Sequence, residues 1–134
     1  MTDNDIARVS DVMTPDVIVV ARTATVREAV AGMRARGTSS VVIDRRDEDD
    51  EFGLLTVKDI AEQVIGNDLS PDRVNVYEVM SKPVMTLAAE MNIIYAVRML
   101  TRFKLTRAMV IDHERRPVGI VTLRDMVLRH IEDE

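Results

Sequence analysis

Two stretches place a hydroxyl and a carboxylate at the same spacing behind an apolar run. They are Gly53-Leu54-Leu55-Thr56-Val57-Lys58-Asp59 and Gly119-Ile120-Val121-Thr122-Leu123-Arg124-Asp125. Each predicts a buried strand running directly into a helix. The first N–H groups of a helix lack intrahelical partners, so such a turn can receive an anion or a polar ligand. An ionised carboxylate there can also accept from two adjacent hydroxyls of a bound molecule. A capping box, with Thr at the N-cap and an acid three residues on, produces the same pattern with no ligand at all. For a single copy that is the commoner cause; the recurrence is what asks for more.

Other chemistries find little support. The chain has no cysteine, which removes thiolate nucleophiles, disulfides and sulfur-based zinc sites. His113 and His130 have no second His or Cys at ligand spacing, so no metal site is expected. Neither a nucleophile elbow nor a phosphate loop occurs, and Asp59 and Asp125 each belong to their own helix start without an evident acid–base partner. The expectation is a protein that is not an enzyme. Asp47 to Glu51 could gather Mg²⁺ beside ATP, but a like-charged hairpin is ordinarily just solvated. Met33, Met85 and Met109 stand at core positions and read as packing rather than as a soft-metal groove.

The elements that must carry the two turns repeat along the chain. Val12-Met13 matches Val79-Met80, Val17 matches Val84 and Ala29-Val30 matches Ala96-Val97, all 67 residues apart. Ile43-Asp44 pairs with Ile111-Asp112 at 68, and Gly53, Thr56 and Asp59 pair with Gly119, Thr122 and Asp125 at 66. Repeat 1 is expected over residues 7–65 and repeat 2 over 76–132, with a turn-rich linker at 66–75. The N-terminal residues to about Ile6 are polar and expected to be loosely held. In repeat 1 a helical turn over Ala7–Met13 should stop before Pro15. A strand follows over Val17–Val20, then a helix capped by Thr25 whose inward face is Val26, Ala29, Val30 and Met33, ended by Gly37. Strands over Val41–Ile43 and Phe52–Leu55 precede a helix over Thr56–Ile65. Repeat 2 has a turn at Tyr77–Ser81, a strand at Val84–Leu87 and a helix with Ile93, Ala96, Val97 and Leu100 inward. It closes with strands at Met109–Ile111 and Pro117–Val121 and a helix over Thr122–Ile131. The fold class is therefore α/β (α+β): two β-α-β-β-α repeats. Each repeat alone would have a marginal core, so the two are expected to pack sheet to sheet with pseudo-twofold symmetry.

Composition agrees with one compact, ordered module of 134 residues, 46% of them hydrophobic. No apolar run approaches the roughly 20 residues of a membrane span, and Met1 to Asp5 lack the features of a signal peptide, so a cytoplasmic location is the default. A formal net charge of −5 argues against a general nucleic-acid binder, which needs a clustered basic face.

These residues resemble a known family. Paired units with a Val-Met start, a strand ending in Ile-Asp and a Gly-x-x-Thr-x-x-Asp strand-to-helix turn look like tandem cystathionine beta-synthase (CBS) domains, over Val9 to Ile131. The resemblance implies a stand-alone regulatory module. Its clefts between the repeats would take an adenosine nucleotide (AMP, ADP, ATP, NAD or S-adenosylmethionine) as bound effector, with or without Mg²⁺ and with no other cofactor. It implies that Asp59 and Asp125 hold ribose hydroxyls, and that Thr56 and Thr122 contact ribose or phosphate. Adenine walls are implied at Thr14, Ile18, Thr38 and Ser39 opposite Asp125, and at Ser81, Met85, Leu105 and Thr106 opposite Asp59. Arg102, Lys104 and Arg107 bracket the loop where the family often holds phosphate, and Arg107 is expected to give the Asp59 cleft a preference for charged phosphates. The family often has proline entering the second strand, where this chain has Val41 and Met109. Repeat 1 is one residue shorter between Gly37 and Val41, and repeat 2 has Lys82 between Ser81 and Pro83.

The resemblance further implies a homodimer through the helices, to which Ile94 or Tyr95 would contribute, and a regulated partner protein that the sequence does not identify. The alternative is a structural dimerisation module whose Thr-x-x-Asp turns serve only as helix caps.

Overall fold

The computed structural model describes residues 6–132; the start expected to be loose, up to about Ile6, lies outside them apart from Ile6 itself. In chain order the elements are α1 (Val9–Val12), β1 (Thr14–Pro15), β2 (Val19–Val20), α2 (Val26–Arg36), β3 (Ser40–Ile43), β4 (Gly53–Thr56) and α3 (Val57–Ile60). There follow β5 (Thr86–Ala88), α4 (Ile93–Arg102), β6 (Arg107–Ile111), β7 (Pro117–Thr122) and α5 (Leu123–Glu132). The architecture is mixed α+β with two sheets, as the patterning indicates. The helix expected over 56–65 is α-helical only to Ile60 and continues as a π-turn over Ala61–Ile65.

The described residues form two compact units: a central one of residues 18–84 and a flanking one in which residues 6–17 join 85–132. The central sheet has the order β2-β3-β4, with β3 parallel to β2 and antiparallel to β4. The middle strand β3 is buried along its whole length, which is why it reads as a continuous apolar run rather than an alternating one. Val26, Ala29 and Met33 of α2 pack with Val41, Ile43, Leu55, Ile60 and Val64. Thr25 caps α2 by accepting from the Glu28 N–H at 3.2 Å, and Gly37 ends it in the left-handed region at φ 65°.

The flanking sheet has the order β1-β7-β6-β5. Its fourth strand, β1, comes from the N-terminal segment: Thr14 lies opposite Ile120 and Pro15 opposite Gly119. The helical turn expected to run to Met13 ends at Val12, because Met13 is already extended ahead of Thr14-Pro15. Val9 and Ala7 join the core of Leu87, Ile93, Ala96, Leu100, Val121 and Met126. The strands expected at Val17–Val20 and Val84–Leu87 are shortened to Val19–Val20 and Thr86–Ala88. Both lose their first residues where the chain passes from one unit to the other.

Strand register corrects one step of the repeat alignment. Ser40 lies opposite Thr56 as Arg107 lies opposite Thr122, and Val42 opposite Leu54 as Met109 opposite Ile120. The offset is therefore still 67 at the second strand: Ile43 corresponds to Val110, not Ile111, and repeat 1 is not short between Gly37 and Val41. The change enters later, at the irregularity between Val110 and Ile111 and in the hairpin beyond it.

Candidate functional site

Both Thr-x-x-Asp turns stand where a strand becomes a helix, and in both the Thr hydroxyl accepts from the Asp N–H, at 3.1 Å in each case. Their carboxylates differ. Asp59 Oδ2 accepts from the Thr56 N–H and from the Thr56 hydroxyl, each at 3.0 Å, completing a reciprocal box. The Asp125 carboxylate instead lies 3.6 Å from the Arg124 guanidinium at a half-exposed position. A ligand hydroxyl at Asp59 meets a carboxylate oxygen already engaged twice; at Asp125 it competes only with an exposed and weak ion pair.

Each turn is braced by the segment entering the middle strand of its own unit. The Ser39 carbonyl accepts from the Val57 N–H at 3.0 Å, and the Thr106 carbonyl accepts from the Leu123 N–H at 2.8 Å. These bonds satisfy one of the orphan donors of each helix start and fix the Thr next to the strand entry. The Thr38 hydroxyl donates to the Ser40 carbonyl at 3.2 Å, holding that entry closed on itself. A second brace crosses the strand before each turn. Ser81 pairs with Leu54 through two hydrogen bonds of 2.9 Å, as Thr14 pairs with Ile120 in β1. The residue before each of these, Met80 or Met13, lays its thioether over the glycine of the motif, where a Cβ on Gly53 or Gly119 would overlap the sulfur. The motif glycines are thus explained by close approach, and the Met of one repeat serves the Gly of the other.

The central unit brings together Ile18, Thr38, Ser39, Thr56, Asp59 and Ser81, with the Ile18 carbonyl accepting from Val42 N–H at 2.9 Å. The flanking unit brings together Thr14, Met85, Leu105, Thr106, Arg107, Thr122 and Asp125, with the Met85 carbonyl accepting from Met109 N–H at 2.9 Å. Thr14 stands in the unit of Asp125. Thr38 and Ser39 stand in the unit of Asp59, and Thr106 and Arg107 in that of Asp125. Within the flanking unit Thr106, Arg107, Thr122 and Arg124 open on a cavity of about 460 Å³ whose floor is Leu123, Val127 and Leu128. Two hydroxyls and two guanidiniums around an apolar floor suit a ligand with a polar, anionic end.

Sequence reasoning missed the role of Asp50. The hairpin after β3 was expected to be merely solvated, but the Asp50 side chain is turned inward. It accepts from the Arg46 backbone at 2.8 Å and pairs with Lys82 Nζ at 2.5 Å. The Lys82 hydrogen bond, then that of Arg46, holds its carboxyl far below the usual carboxylate range. Lys82, which follows Ser81, is thereby tied to the hairpin. A charge run gives no signal of which of its carboxylates will find a partner. Among the described residues no three His, Asp or Glu side chains gather as a metal ion requires.

The family model described as "CBS domain" matches this chain twice, at residues 9–66 and 76–131. An uncharacterized protein of Methanopyrus kandleri is 32% identical over 119 residues, covering 89% of this chain; the chain spans 60% of that relative's length. Among solved structures, a hexameric CBS-CP12 protein from bloom-forming cyanobacteria is 27% identical and superposes with a TM-score of 0.85, covering 92% of this chain and 68% of that one. The CBS domain pair of the protein MJ0100, in complex with 5'-methylthioadenosine and S-adenosyl-L-methionine, shares 22% identity and a TM-score of 0.79 over 96% of this chain and 99% of its own. A CBS domain protein of Pyrobaculum aerophilum complexed with AMP shares 18% and 0.78 over 94% and 99%.

Proposed function

The chain belongs to the CBS domain family, and on that premise we propose that it is a ligand-sensing regulatory module, not an enzyme, whose Thr-x-x-Asp turns hold adenosine-containing ligands. The observation that carries this reading is the duplicated turn. In both units a Thr hydroxyl, a carboxylate and the first N–H groups of a helix are held together by a carbonyl from the neighbouring strand entry. The carboxylate accepts from ribose hydroxyls, the Thr hydroxyl and the helix start meet ribose or phosphate, and aliphatic side chains and backbone suffice for adenine. Relatives of the same fold complexed with AMP, 5'-methylthioadenosine and S-adenosylmethionine support the ligand class. Arg107 and Arg124 favour a phosphate-bearing ligand beside Thr122, with or without Mg²⁺.

Association through the helices fits the same reading. Ile94, Val97, Val127 and Ile131 line a groove of about 330 Å³ on α4 and α5, and Val30, Val57, Ile60 and Ile65 line one of about 420 Å³ on α2, α3 and the π-turn after it. Apolar grooves of this kind suit a second copy or a regulated partner protein. One observation favours the second reading, a purely structural dimerisation module: the Asp59 box is complete without a ligand.

Thermal melts with AMP, ADP, ATP, NAD and S-adenosylmethionine separate the two. A ligand at 100 times its dissociation constant adds about 2.7 kcal/mol of stability. A rise in melting temperature with at least one of them is the expected result. No shift with any of the five at millimolar concentration leaves only the structural module.

A further inference from the structure

The two repeats share a fold but not a charge pattern. From Met91 to Ile111 the chain has four basic residues and no acidic one, although its net charge is −5. From Asp44 to Glu51 it has six acidic residues and two arginines. The stretch covers α4, the turn after it and β6, and the repeat supplies an internal control for what the fold needs at that turn. Gly37 and Lys104 are equivalent, 67 residues apart, and both are left-handed, at φ 65° and 57°. Both turns close by the same bond, from Thr38 N–H to the Met33 carbonyl and from Leu105 N–H to the Leu100 carbonyl. Repeat 1 builds this turn from Arg36, Gly37 and Thr38. Repeat 2 builds it from Phe103, Lys104 and Leu105, placing a lysine where a glycine is unstrained and leaving Phe103 58% and Leu105 38% exposed. Neither exposed apolar group is required by the turn. Arg98 stacks on Tyr95 at 5.4 Å, and among the described residues Arg98, Arg102 and Lys104 form no ion pair.

The acidic hairpin is its complement in the central unit. Asp50 is turned inward onto Arg46 and Lys82, and Arg45 stacks on Phe52 at 5.0 Å with its guanidinium on the Glu48 carbonyl. The cations of the hairpin are therefore engaged within it. Asp47, Glu48, Asp49 and Glu51 remain exposed, on a loop that these bonds hold in one shape, and among the described residues none of the four has an ion-pair partner.

We propose that the basic face of Arg98, Arg102, Phe103, Lys104 and Leu105 is a docking surface for the acidic hairpin of a second copy of this chain. The contact is heterologous, since the surface on one copy meets a different surface on the next. It therefore closes into a ring or extends as a chain of copies. Phe103 and Leu105 supply the apolar anchor, and the opposed charges supply orientation and a steep dependence on salt. This contact shares Arg98 with the groove on α4 and α5, and Arg102, Lys104 and Leu105 with the loop at which the family resemblance implies phosphate and adenine.

Sedimentation velocity of the full chain at several concentrations, in 50 and 500 mM NaCl, tests it. Species beyond the dimer should be populated at low salt, with the apparent association constant falling about tenfold or more at high salt. The triple variant Arg98→Glu, Arg102→Glu, Lys104→Glu and the triple variant Asp47→Lys, Glu48→Lys, Asp49→Lys should each fail to form them while melting as the wild type does. Mixed in equal amounts the two should assemble again, because each then meets the opposite charge on the other. Phe103→Ser should weaken assembly at both salt concentrations. A chain that sediments as a single copy or a salt-independent dimer overturns the proposal. So does unchanged assembly of either triple variant, or a mixture that does not assemble.

Discussion

Replacing Gly119 by alanine should destabilise the flanking unit more than replacing Gly53 destabilises the central one, although both glycines occupy the same place in the repeat. Neither has a positive φ, so a Cβ costs no backbone strain and even gains a few tenths of a kcal/mol from a stiffer unfolded chain. What decides is what the Cβ meets. At Gly53 it overlaps the Met80 sulfur, but the next atoms are Met80 Cγ at 3.2 Å and the Ser81 carbonyl oxygen at an ordinary 3.4 Å. The flexible thioether can move aside, so the net cost should be below about 1 kcal/mol. At Gly119 it overlaps the Met13 sulfur and also meets Met13 Cγ at 2.9 Å and the Thr14 carbonyl oxygen at 3.0 Å. That carbonyl belongs to the two-residue strand β1, so the backbone of the N-terminal segment must shift with it. A cost of about 1–3 kcal/mol is expected, as for other overpacked sites. Urea unfolding of both variants, with Met13→Ala added to each, reads the difference. The Met13 change should recover part of the loss in Gly119→Ala and none in Gly53→Ala. Equal costs at the two glycines would refute the part given to the Thr14 carbonyl, and rescue of both would refute the assignment of each methionine to the other repeat's glycine.

Three further outcomes follow from the same geometry. Asp50→Asn should lower stability at neutral pH: a carboxyl whose folded pKa is depressed contributes fully above its unfolded value of about 3.9 and loses that contribution only as pH falls to the much lower folded value, so melts from pH 7 to 3 should show a constant gap between variant and wild type that begins to narrow only below about pH 4. Lys104→Gly should stabilise by up to about 1 kcal/mol, since φ 57° suits glycine and the residue is exposed; a loss in urea unfolding would contradict this. Asp59→Ala should cost more stability than Asp125→Ala, roughly 1 kcal/mol against about 0.3, because only Asp59 closes a reciprocal box, and equal melting temperatures would show the boxes to be alike.

Much of the fold is legible because its signals are local and periodic. Thr25, the 3.6-residue spacing of Val26, Ala29 and Met33, and Gly37 mark α2 from both ends, and the apolar runs before Thr56 and Thr122 mark the strands that carry the turns. The turns themselves are legible because a Thr and an Asp three apart can close a cap wherever a helix begins. What is not legible depends on partners distant in the chain. Thr14-Pro15 is too short to show alternation, and its pairing with Gly119 and Ile120 reflects the exchange of segments between repeats. The Ile43 register cannot be read from the Ile-Asp pairs, because the bulge at Val110 and Ile111 moves the second pair one residue along. Within the candidate site the residue types are visible in the sequence. The difference between Asp59, held by Thr56, and Asp125, beside Arg124, lies in side-chain geometry that the identical motif conceals.

Calorimetric titration of AMP and S-adenosylmethionine into the wild-type chain and into Asp59→Ala, Asp125→Ala and the double variant tests the central claim most directly. Losing a charged acceptor for ribose should cost about 1.5–3 kcal/mol, or roughly 10- to 150-fold in affinity, at each altered turn while the fold persists. The account predicts micromolar to millimolar binding to the wild type, a graded loss in the single variants and none detectable in the double. Binding of unchanged strength in the double variant, or no heat with the wild type, would contradict it.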